Sequence, residues 1–144
     1  MVITSEKFSR LINVLGKAKV VFESMSDEIG DLHLRSALSG IATDIYFFAR
    51  EIFLQLNDQE LLPELDKLRS IEEYEIDDTR FTEKGEEVAA ICKYTENQVI
   101  GSYEELLNDS IHLSRLKQIL AFQLGSLQLG FARVRLLNEE RFSV

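Results

Sequence analysis

Seven apolar residues near the start of the chain recur at a spacing that leaves few folds open. Phe8, Leu11, Leu15, Ala18, Phe22, Met25 and Ile29 follow one another in alternating steps of three and four. This spacing puts them on one face of an α-helix, and a stripe that long needs other helices to bury it. Three later stretches repeat the pattern. Leu34, Leu38, Ile41, Ile45, Phe48 and Ile52 make the second seam. Val88, Cys92, Thr95 or Glu96, Val99, Tyr103 and Leu106 make the third. The fourth is Leu113, Leu116, Leu120, Leu124, Leu127, Phe131 and Val134. The spacing predicts helices near 5–29, 31–57, 82–108 and 110–138, all within a single domain over 1–144.

The punctuation between seams agrees with this division. Thr4 suits an N-cap, Glu6 the first turn, and Ile3 a staple onto Phe8. Gly30 suits a helix end, Asp31 the next cap, Thr82 the third start, and Asp109 or Ser110 the fourth cap. A single proline and 7 glycines leave little for a turn-rich β fold. Helices 1 and 2, like helices 3 and 4, are joined by a few residues and are expected to be antiparallel neighbours. Residues 58–81 form a connection long enough to run the length of the bundle, so helices 2 and 3 are expected to run parallel. A short helix over 61–68, with Pro63 in its first turn, is compatible with that stretch. The expected fold is an all-α four-helix bundle with one long crossover, the ferritin-like arrangement.

Helix 2 opens with Asp31-Leu32-His33-Leu34-Arg35, and helix 3 carries Thr95-Glu96-Asn97 and then Ser102-Tyr103-Glu104-Glu105-Leu106-Leu107. In these landmarks the chain resembles the uncharacterised bacterial four-helix bundles of the ferritin-like superfamily. The likeness covers roughly residues 7–140. It implies the fold and no particular substrate, because that family has no established reaction. A loose internal repeat at an offset of 79 sets Asp31-Leu32-His33-Leu34 against Ser110-Ile111-His112-Leu113. Two hairpins related by a pseudo-twofold would produce it, and so would any two seams slid into register.

Charge excludes several classes of partner. The chain carries −9, and residues 58–87 alone hold twelve Asp/Glu against four Lys/Arg. That segment reads as a solvated connector; Glu75-Ile76-Asp77-Asp78-Thr79 lacks calcium-loop spacing. An acidic chain is a poor ligand for nucleic acid or an anionic membrane, and Tyr46, Tyr74, Tyr94 and Tyr103 are too scattered for a base-stacking platform. MVITSEKFSR lacks the apolar core of a signal peptide, and no apolar run reaches membrane-spanning length. A soluble, cytoplasmic protein is therefore expected. Cys92 is the only cysteine, which excludes an internal disulfide and suits a small core residue. No glycine-rich phosphate loop, dinucleotide fingerprint or His-Glu-x-x-His occurs.

A dinuclear metal site in such a bundle needs carboxylates from two helices and Glu-x-x-His from the others. Glu23, Glu51 and Glu96 lie beside the first three seams. His33 and His112 fall in first turns at opposite ends of the bundle, and the nearest motif, Asp109-Ser110-Ile111-His112, sits at a loop. The expectation is therefore no catalytic residue, no cofactor and no metal, with the three glutamates in salt bridges. The alternative is a metal-binding or oxidative-stress protein retaining a degenerate site at Glu23, Glu51 and Glu96. For Glu96 a partly exposed flank position is preferred over an inward one paired with Arg35, Arg50, Arg133 or Arg135.

The outer faces supply the remaining signal. Phe122, Leu129 and Leu136 each follow a helix 4 core position by two residues, about 200° around the helix. Phe47 and Leu54 do the same on helix 2, with Phe53 beside them. A heptad-spaced apolar row on an outer face marks an interface, and two-fold pairing is its commonest closed solution. The expected function is a non-catalytic helical interaction module that forms a homodimer through these residues. The competing arrangement folds Leu61, Leu62, Leu65 and Leu68 of the crossover over the same row.

Overall fold

The computed structural model describes residues 2–58, 85–108 and 114–142. They form four helices that pack together, α1 (Val2–Glu28), α2 (Leu32–Asp58), α3 (Gly85–Leu107) and α4 (Ser114–Phe142). No strand occurs among the described residues. The protein is an all-α four-helix bundle. The crossover, the caps at Asp109 and Ser110, Thr82, Leu113 and His112 lie outside the described residues.

Two helix ends differ from the sequence reading. Helix α1 already begins at Val2, so Thr4 lies inside its first turn and is not the N-cap. Helix α4 continues to Phe142, beyond the expected end near 138, because residues 139–142 contain no glycine or proline to stop it. The hairpin between α1 and α2 is as expected. Ile29 N–H still reaches the Met25 carbonyl at 3.0 Å, and Asp31 Oδ1 accepts from Leu34 N–H at 2.9 Å as the cap of α2.

Side-chain pairs fix how the helices run. Gln123 of α4 bonds to Phe48 of α2, and Gly130 of α4 faces Ile41 of α2, so numbers rise on one helix as they fall on the other. Tyr103 pairs with Gln123, and Glu96 with Arg135, which sets α3 antiparallel to α4. Helices α2 and α3 therefore run parallel, as expected from the length of sequence between them. Around the bundle the order is α1, α2, α4, α3, with α2 and α3 on one diagonal and α1 and α4 on the other. Gly130 allows one close approach, since a Cβ there would lie 3.1 Å from Ile41 Cγ1.

The core follows the seams closely. All seven α1 seam residues are buried, and Ile12, Ala37, Ala42, Ala49 and Leu56 broaden the buried stripes. Phe22 meets Phe131 across the α1–α4 diagonal, with ring centroids 5.8 Å apart. On α4 the seam departs from expectation. Gln123 is fully buried, and Leu124 is only packed against the margin. The buried positions run 116, 120, 123, 127, 131, 134 and 138, so the step after Leu120 is three and not four.

Candidate functional site

The surroundings of the reactive side chains decide what chemistry is open to them. Glu23 pairs with Lys19 one turn back at 3.0 Å and keeps a partly exposed side chain. Glu51 is exposed at the far end of α2, beside Ser114, Arg115 and Gln118 of α4. Glu96 is buried on α3 and bonds to Arg135 near the other end of α4. From Gln118 to Arg135 is about 25 Å along a helix that rises 1.5 Å per residue. The fold thus sets Glu51 and Glu96 far apart, and no three His, Cys, Asp or Glu side chains gather among the described residues. His33 is exposed.

Glu96 corrects the sequence reading, which favoured an exposed flank. Thr95 and Glu96 are both buried, and Thr95 satisfies its hydroxyl by donating to the Ile91 carbonyl at 2.8 Å. Glu96 turns toward α4, where Arg135 supplies a charge-assisted hydrogen bond. That bond pushes the Arg135 pKa further above the ordinary arginine value, and the nearby Glu96 charge adds to it. Arg135 itself stays half exposed, so the pair straddles the α3–α4 seam.

Cys92 and Tyr103 are held in their neutral forms. Burial pushes the Cys92 thiol up to about 12; a hydrogen bond from Asn138 opposes this and the nearby Glu96 carboxylate adds to it. A thiol so raised is not a nucleophile near neutral pH. Burial likewise raises the Tyr103 hydroxyl, and Glu51 adds to the effect. Tyr103 donates to Gln123 Oε1 at 2.8 Å, and Gln123 Nε2 donates to the Phe48 carbonyl at 3.3 Å. This chain of two bonds ties α3 to α4 and α4 to α2 inside an otherwise apolar layer. It was not anticipated from the sequence, where Leu124 looked the better core residue.

The outer faces of α2 and α4 present a different kind of site. Phe122, Leu129 and Leu136 are 71%, 76% and 61% exposed, and Phe47 and Leu54 are 58% and 54% exposed. Phe53 is half-buried, on the flank of the row and not within it. Leu32 near the start of α2 is also exposed, a residue the sequence reading did not place in the row. Among the described residues, the only large exposed apolar side chain off these two helices is Tyr94 of α3. Helices α2 and α4 are neighbours, and the levels set by Gln123 and Phe48 bring their rows closest at Phe122 and Phe47. An open hollow of about 460 Å³ lies between them, lined by Glu51 of α2 and by Ser114, Arg115, Gln118, Ile119 and Phe122 of α4.

Charge on these two helices differs from that of the chain as a whole. Helices α2 and α4 hold seven Lys/Arg against five Asp/Glu, whereas the whole chain carries −9. Asp44 lies one turn from Ile41 and from Phe48, both of which meet α4, and its carboxyl is pushed above the usual range by partial burial. Arg133 lies one turn from Gly130, which meets α2. The groove between the two helices therefore has an acidic wall, Asp44 and Glu51, and a basic wall, Arg115 and Arg133. All four side chains are exposed.

No helix among the described residues is long and apolar enough to cross a membrane. No family model, curated protein or solved structure matches the chain.

Proposed function

We propose that this chain is a non-catalytic, cytoplasmic interaction module that pairs with a second copy through the outer faces of α2 and α4. The observation that carries the reading is the row of Phe122, Leu129 and Leu136, each more than half exposed, with Phe47 of α2 near the level of Phe122 and Leu54 beyond it. A bundle that works alone gains nothing from large apolar side chains in water at heptad spacing, and contiguous patches of this kind mark interfaces. The size suits the purpose. Helix α2 of 27 residues is about 40 Å long, and two such helices side by side, each about 10 Å wide, make a face of roughly 800 Å², the usual area per partner of a stable interface. A second copy is the favoured occupant because the face carries both an acidic and a basic wall, which a rotated copy of itself can match. The parallel run of α2 and α3 supports a ferritin-like relationship for the fold.

Sedimentation equilibrium on the Phe122→Glu, Leu129→Glu double variant tests this. Association is expected to weaken at least tenfold, about 1.4 kcal/mol or more. Tyr94→Glu, on α3 and off the face, should leave association unchanged. A double variant that pairs as tightly as the wild type contradicts the proposal.

A further inference from the structure

The self-association just proposed leaves the docking mode open, and the two groove walls discriminate between the modes. A two-fold axis lying across the helices sets α2 on α2′ and α4 on α4′, so acids face acids and bases face bases. An axis lying along the groove sets α2 on α4′, and each acidic wall then faces the partner's basic wall. We infer that the second copy docks in this crossed manner, α2 against α4′, with Asp44 and Glu51 of each copy facing Arg133 and Arg115 of the other. This inference rests on the self-association reading.

Register within the chain supports the crossed mode. Gln123 lies opposite Phe48 and Gly130 opposite Ile41, which fixes the level of every residue on one helix against the other. An axis along the groove preserves those levels between copies. It brings Phe47 within about 3 Å of axial alignment with Phe122 of the other copy, at 1.5 Å per residue. The same operation offsets Asp44 from the other copy's Arg133 by about 9 Å along the axis, inside the distance over which charges act at low salt. Neither group is already committed: Asp44 and Arg133 make no ion pair among the described residues.

Charge reversal separates the modes. The wild type, Asp44→Lys, Arg133→Glu and the double reversal would be compared by sedimentation equilibrium at low ionic strength, where the screening length is about 30 Å at 0.01 M. In the crossed mode each single reversal puts like charges together twice, so each is expected to weaken association about fivefold. The double reversal restores opposite charges across both contacts and should return to within about twofold of wild type. In the like-on-like mode a single reversal only exchanges one repulsion for another. Single variants that match the wild type, or a double variant that loses the sum of both, would overturn the crossed mode while leaving self-association standing. A wild type that remains monomeric throughout would overturn the underlying reading as well.

Discussion

Replacing Phe22 by alanine is expected to cost about 3–5 kcal/mol of stability, the range for removing a buried aromatic ring from a core that cannot collapse around the gap. Phe22 is completely buried and packs on Phe131 across the long diagonal of the bundle. The two rings sit where α1 and α4 approach without being neighbours, so no adjacent helix face can slide in to fill the space. A domain of this size has only about 5–15 kcal/mol in total, and the variant should be close to its limit. Urea denaturation at one fixed protein concentration measures the effect, because pairing of copies would otherwise add a concentration-dependent contribution. A loss below about 1 kcal/mol would mean that the diagonal is not the packed centre of the fold.

The second large effect comes from the buried polar chain. Gln123→Leu is expected to cost about 1–3 kcal/mol, because it leaves the Tyr103 hydroxyl buried with nothing to bond. Tyr103→Phe should cost a comparable amount by orphaning Gln123 Oε1. Removing both together leaves an apolar layer, so the double variant is expected to be no worse than either single one. The coupling read from the four proteins should therefore exceed about 1 kcal/mol. Additive losses would show that the two side chains do not depend on each other. Such a pair adds little net stability relative to an apolar one, because the cost of burying its polar atoms offsets the bonds they make.

Most of the fold was readable because heptad spacing survives without any knowledge of partners. The α1 seam from Phe8 to Ile29 is buried throughout, and Asp31 caps α2 through a bond that its type and place alone suggest. The exposed row was readable for the same reason, since two residues of offset turn a side chain to the far side of a helix. What escaped depended on other helices. After Leu120 the seam can step to Gln123 or Leu124, and hydrophobicity alone chooses the leucine. The glutamine goes inside only because Tyr103 and the Phe48 carbonyl meet its amide there. Glu96 is similar: its burial depends on Arg135, 39 residues away on a different helix. Helix α4 made such choices harder, being apolar on both its core face and its outer face. Phe53, next to Leu54 in sequence, sits about 100° around the helix from it and is half-buried.

If the outer face of α2 and α4 closes on a second copy of the chain, the association must appear in solution. Sedimentation equilibrium of the unmodified protein, from micromolar to hundred-micromolar concentrations, addresses it directly. A reversible rise toward twice the 16.5 kDa mass of one chain, with no larger species, is expected. A constant mass of one chain across that range would contradict it.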